Sequence, residues 1–77
     1  MKELVELIAR SIVDSPEEVE VTETEGEYTV ILELKSNKGD TGKIIGKGGR
    51  TISAIRTLLA GIGGKEKRKY VLEIKEE

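Results

Sequence analysis

With 77 residues the chain has room for one small core, of a size at which only about 60% of the chain's surface is buried on folding. It contains no cysteine and no histidine, which excludes a disulfide frame, thiolate and imidazole metal sites, a histidine base and the ordinary pH switch. The formal net charge of −2 conceals a polarity, since residues 1–34 hold ten Asp/Glu and two Lys/Arg whereas residues 35–69 hold ten Lys/Arg and two Asp/Glu.

The first element is an amphipathic helix over residues 2–13, with Leu4, Val5, Ile8, Ala9 and Ile12 on one side and Leu7 and Val13 widening it. It stops at Asp14-Ser15-Pro16, because the residue before proline is pushed out of helical geometry. Alternation over Val19–Glu23 and again over Tyr28, Val30, Leu32 and Leu34 predicts two strands joined at Glu25-Gly26-Glu27, with those four residues facing the core. Asn37 is a candidate N-cap, and Asp40 sits near the positive end of the short helix that follows. That helix ends near Ile45-Gly46. A further helix places Ile52, Ile55, Leu58, Leu59 and Ile62 on one face and ends at Gly61, Gly63 and Gly64, before an exposed basic connection at Lys65–Lys69. A last strand alternates Tyr70, Leu72 and Ile74 with Val71, Glu73 and Lys75, and Glu76-Glu77 frays. The order is α-β-β-α-α-β. It predicts an α+β domain over residues 1–77, with a three-stranded mixed sheet covered on one face by three helices; the two-helix crossover sets the last two strands parallel.

No apolar run approaches the roughly 18 to 20 residues of a membrane span, and Met1-Lys2-Glu3-Leu4 does not open a signal-peptide core, so a cytoplasmic protein is expected. Charged residues make up 36% of the chain, with one asparagine and no glutamine, a composition that also suits a heat-adapted source.

Gly42-Lys43-Ile44-Ile45-Gly46-Lys47-Gly48-Gly49-Arg50 carries the chemistry. A backbone that approaches a phosphate closely needs glycine at the point of contact, and Gly46 and Gly49 provide it. The loop leads into a helix N-terminus, whose free amides and dipole favour an anion, and Lys47 and Arg50 add charge. The plainer alternative is a helix-turn-helix corner that uses glycine for its angles. A Walker A loop is excluded because Gly42 and Gly46 are separated by three residues and Lys47 precedes Gly48. The dinucleotide fingerprint fails because its third glycine would fall on Thr51. No cofactor, metal ion or catalytic residue is expected, since no carboxylate pair sits beside a nucleophile or a metal-ligand set.

Ile44-Ile45-Gly46-Lys47-Gly48-Gly49-Arg50-Thr51-Ile52 resembles the KH-domain signature Ile/Val-Ile-Gly-x-x-Gly-x-x-Ile at every fixed position. The element order resembles the type II, bacterial arrangement, and the whole chain is similar to the stand-alone single-KH proteins of the KhpA family. Leu4–Ala9, Val13–Val21 and Ala54–Leu58 add to the likeness. Gly48 departs from it, being a bulkier residue more often in that family, and makes the loop more flexible. The resemblance implies single-stranded RNA binding, with the loop clamping the backbone of about four nucleotides. The implied contacts are Gly46, Lys47, Gly48, Gly49 and Arg50, with Lys43, Ile45, Ser53 and Arg56 beside them.

Stacking platforms are not expected, because Tyr28 and Tyr70 are the only aromatics and both fall on core-facing phases. An aliphatic groove would draw on Ile44, Ile45, Ile52 and Ile55, each equally a candidate for the core. Lys65–Lys69 is as much a solvated run as a phosphate contact. A second reading is a module that pairs with itself or with another KH-containing protein, for which Ile31 and Val71 on the outward phase of adjacent strands are the hint.

Overall fold

The computed structural model describes residues 1–75. Its elements are α1 (Lys2–Ile12), β1 (Glu20–Glu25), β2 (Thr29–Lys35), α2 (Thr41–Ile45), α3 (Arg50–Glu66) and β3 (Lys69–Ile74). Short 3-10 turns lie at Pro16–Glu18, Lys38–Asp40 and Lys47–Gly49. The sheet order is β1-β2-β3, with β1 antiparallel to β2 and β3 parallel to it. This is the α+β arrangement expected from the alternation of periods.

The period-two pattern of β2 turns Val30, Leu32 and Leu34 to the helices, and all three are fully buried. Val21 pairs with Leu34 and Leu72 with Leu32, so the neighbouring strands continue the same apolar face. Val5 and Ala9 of α1, Ile44 of α2 and Ile52, Ile55 and Leu59 of α3 close over it as one core. Full burial stabilises each of these larger side chains by about 1.5–3 kcal/mol relative to exposure. The opposite sheet face is left open, with Ile31 and Val71 side by side there and Glu33 beside Glu73 next along the strands.

Four apolar positions differ from the sequence reading. Leu7 and Ile12 lie on the exposed side of α1, and Leu58 is exposed on α3, because three helices over three short strands bury only a narrow stripe of each. Tyr28, expected in the core, is 69% exposed. The hairpin turn occupies Gly26–Thr29, closed by the Gly26 N–H donating to the Thr29 carbonyl at 2.7 Å, so β2 begins one residue after the tyrosine.

The end of α3 also differs. The helix runs through Gly61, Gly63 and Gly64 to Glu66, and Lys67 terminates it in the left-handed conformation at φ 58°. The Arg68 amide returns to the Gly63 carbonyl at 2.8 Å, satisfying one of the last helical acceptors. Glycine is needed inside the helix for proximity, not for termination: a Cβ on buried Gly63 would lie 2.3 Å from the Arg68 carbonyl oxygen. The residues that lower helix propensity here are the ones that let the chain reverse tightly into β3.

Candidate nucleic-acid interface

α2 has five residues, too few to hold its position by helical cooperativity. Two polar anchors hold it instead. The Asn37 side chain accepts from the Gly39 amide at 2.8 Å, opening the turn that leads into α2. Asp40, only 3% exposed, accepts from the Asp14 amide at 3.2 Å and from the Ser15 amide at 3.0 Å. A buried carboxylate thus satisfies two backbone donors of the segment that leaves α1. The sequence reading placed Asp40 near a helix end but missed this link across the fold; charge alone did not signal it.

Gly46 ends α2 at φ 79°, ψ 168°, and its amide donates to the Gly42 carbonyl at 2.8 Å. An added Cβ would sit 2.2 Å from Thr51 Oγ1 and 2.8 Å from the Thr51 amide nitrogen. Glycine is required at this position by the contact between the loop and the first turn of α3. Gly48 and Gly49 follow at φ 64° and 77° with open space around both, and the Gly49 amide donates to the Gly46 carbonyl at 3.0 Å. The departure at Gly48 therefore coincides with a left-handed backbone, which glycine adopts without the cost of about 1–2 kcal/mol borne by other residues.

Lys47 and Gly48 form the exposed tip. Arg50 opens α3 next to it, and no side chain caps that helix, so its first amides and the positive end of its dipole are directed toward the loop. Neither Lys47 nor Arg50 makes an ion pair among the described residues. An exposed backbone corner, two uncompensated cations and a helix N-terminus together make a place for an anion.

Arg50, Ser53 and Arg56 follow at three-residue intervals along α3, and all are exposed. β3 is an edge strand. The Lys69 and Lys75 amides donate to the Tyr28 and Leu34 carbonyls of the chain that forms β2, so the Leu72 carbonyl points away from β2. Arg56 closes on that carbonyl, with Nε at 3.3 Å and Nη2 at 3.0 Å. The guanidinium therefore bridges α3 and the free edge of β3. Of the four isoleucines proposed for a groove, Ile44, Ile52 and Ile55 are buried in the core and only Ile45 is half-buried.

Lys43 is placed differently. Its ammonium forms an ion pair with Asp14 and lies 3.8 Å from Asp40, and the hydrogen bond to Asp14 raises its pKa above the ordinary lysine value despite partial desolvation. That cation is committed to the anchor of α2. Lys65–Lys69 lies at the far end of α3, whose 17 residues measure about 25 Å, so it is not part of the loop site. Among the described residues there is no cluster of acidic, histidine or cysteine side chains suited to a metal, and no helix long and apolar enough to cross a membrane.

Known proteins are similar in sequence to this chain along almost its whole length. Residues 2–74 match the family described as KhpA/KhpB, KH domain. "RNA-binding protein KhpA" of Clostridium perfringens is 55% identical over 74 residues, covering 96% of this chain and 99% of its own. The protein of the same name from Chlamydia trachomatis is 53% identical over 77 residues, covering 100% and 99%, and that of Aquifex aeolicus is 49% identical over 76 residues, covering 99% and 96%. No solved structure matches the chain. The signature at residues 44–52, the α-β-β-α-α-β order and these matches agree: the chain belongs to the KhpA/KhpB family of KH-domain proteins.

Proposed function

We propose that the protein is a non-catalytic binder of single-stranded RNA, of the RNA-chaperone or post-transcriptional-regulator type, that holds the RNA backbone on its Gly46–Gly49 loop. The observation that carries this reading is the exposed Lys47-Gly48 tip beside Arg50 and the uncapped start of α3, a concentration of positive potential on a backbone with no side chain in the way. The relatives' printed names, all "RNA-binding protein KhpA", support it. Phosphates would meet the loop amides, Lys47 and Arg50, while Ile45, Ser53 and Arg56 would line the path of the strand beside β3. Lys43 would act indirectly, by fixing α2.

The direct test replaces Lys47 and Gly48 together by aspartate and measures fluorescence anisotropy of a labelled single-stranded RNA. Both positions are exposed, Gly48 has open space around it, and aspartate is among the residues that tolerate a left-handed backbone. The circular dichroism melt should change little while binding is lost. Full-strength binding by this variant would remove the loop from the interface.

A second reading, pairing with another copy or another KH-containing protein, is favoured by one observation. Ala54, Leu58 and Gly61 form an exposed strip of small and apolar residues on α3, with Leu58 58% exposed. Ile31 and Val71, the contact suggested by their outward phase, are half-buried and flanked by Glu33 and Glu73, which makes the α3 strip the better surface. Light scattering of Leu58→Lys against the native chain tests it: a native dimer that becomes a monomer supports pairing through α3, whereas a native monomer removes self-pairing.

A further inference from the structure

The exclusion of aromatic stacking rests on both tyrosines facing the core, and the structure releases one of them. Tyr28 stands in the Gly26–Thr29 turn with 69% of its surface exposed, the most exposed large hydrophobic side chain among the described residues. Its carbonyl accepts the Lys69 amide at 2.8 Å, which places residue 28 against the start of β3, next to the turn that leaves α3. Lys65, Lys67 and Lys69 are exposed around that turn, and none forms an ion pair among the described residues. Two of the nearby acids are already engaged: Glu25 with Arg68 at 3.6 Å, and Glu66 as acceptor of the Tyr70 hydroxyl at 2.5 Å. Glu27, the residue before Tyr28, makes no ion pair among the described residues.

We infer that Tyr28 with Lys65, Lys67 and Lys69 forms a second contact for the same single strand, in which a base stacks on the Tyr28 ring and the lysines meet the flanking phosphates. This rests on the RNA-binding reading of the loop. An exposed ring is available for stacking without rearrangement of the core, and every base offers a face to stack against it. The lysines at that turn supply the sequence-independent attraction that brings the backbone there. The Gly46–Gly49 loop and this patch occupy opposite ends of α3, about 25 Å apart along the helix. At about 3.4 Å per stacked nucleotide, that distance corresponds to roughly seven nucleotides. A strand of about five nucleotides therefore fills the loop site only, whereas one of about twelve reaches both.

The test is anisotropy with labelled oligouridylates of those two lengths, using the full chain. Native protein should bind the longer strand more tightly. Tyr28→Ala should weaken the longer strand about tenfold, within the range of one lost base stack, and leave the shorter one unchanged. Tyr28→Phe, which keeps the ring, should restore the longer strand's affinity. The loop variant with aspartate at positions 47 and 48 should lose both strands. Equal affinity of Tyr28→Ala and native protein for the longer strand, alongside loss in the loop variant, would overturn the second contact and leave the loop reading standing. Equal weakening of both lengths would also overturn it, assigning Tyr28 to the fold. Failure of the native protein to bind either strand would overturn the loop reading and this one with it.

Discussion

Gly46→Ala is the substitution that separates a packing role for the loop glycine from a role confined to ligand access. The backbone at Gly46, φ 79° and ψ 168°, lies in a region that only glycine enters freely, and holding another residue there costs about 1–3 kcal/mol. The new Cβ would also meet Thr51 Oγ1 at 2.2 Å, Thr51 Cβ at 2.7 Å and the Thr51 amide nitrogen at 2.8 Å. Part of that crowding is main chain at the first turn of α3, so rotating the threonine side chain does not relieve it. Displacement of packed atoms adds about 1–3 kcal/mol. The expected loss is about 2–6 kcal/mol, against roughly 4–12 kcal/mol of total stability for a chain of this length. Urea unfolding followed by circular dichroism should show a large fall in midpoint. Gly48→Ala is the control, because φ is 64° there but nothing lies within 4 Å of the added carbon, and it should cost only about 1–2 kcal/mol. If Gly46→Ala unfolds at the native midpoint, or costs no more than Gly48→Ala, the contact with Thr51 is not what requires the glycine.

Three further outcomes follow from the same geometry. Gly63→Ala should destabilise by about 1–3 kcal/mol in the same assay, since its Cβ would stand 2.3 Å from the Arg68 carbonyl, whereas Gly61→Ala and Gly64→Ala, with open space, should be neutral or stabilising. Asp40→Ala should cost about 1–3 kcal/mol by leaving the Asp14 and Ser15 amides without their acceptor, read as a lowered urea midpoint. Lys43 binds its proton more tightly in the folded state than its ordinary value of 10.5, so its contribution is fully present below that pH and is lost as pH rises through the raised value. The difference in midpoint between native protein and Lys43→Gln should therefore stay constant up to about pH 10 and shrink above it, and a difference that grows there would contradict the assignment.

The element types, their order and the parallel pairing of β2 with β3 were legible because they rest on periodicity and on chain connectivity, which are local or topological. What was not legible depends on distances between segments remote in sequence. Gly63 reads as a helix terminator until the Arg68 carbonyl is seen against it, and Asp40 reads as a helix-end charge until the Asp14 and Ser15 amides are found 25 residues or more away. Tyr28 followed the alternation of β2 faithfully, but alternation does not report where a strand begins, and a turn of four residues took the tyrosine out of the sheet. The signature put the Gly46–Gly49 loop between two helices, as the structure has it. It did not separate the glycine held by a neighbour's backbone from the two that answer to a positive φ. Nor did it show that Lys43, three residues before the loop, is occupied by carboxylates.

The charge polarity of the sequence acquires its meaning from the fold. The acidic half builds α1, the Pro16–Glu18 turn, β1 and the hairpin, whereas the basic half builds α2, the loop, α3 and the start of β3. Because β1 and β3 lie on opposite edges of the sheet, the segregation along the chain becomes a segregation across the molecule. A polyanion approaching the β1 edge meets Glu20, Glu23 and Glu25, and one approaching α3 meets Lys47 and Arg50 at one end and Lys65, Lys67 and Lys69 at the other. The field thus orients the encounter as well as favouring it, which is the part of recognition that long-range charge can supply. A net charge of −2 is compatible with such a surface because ten of the fifteen acids lie in residues 1–34. The two places within the basic half where acids do intervene, Asp40 with Lys43 and Glu66 with Tyr70, are fold contacts rather than opposition to a ligand. Within the basic half Asp40 and Glu66 are thus tied into contacts of the fold, whereas Lys47, Arg50, Lys65, Lys67 and Lys69 make no ion pair among the described residues.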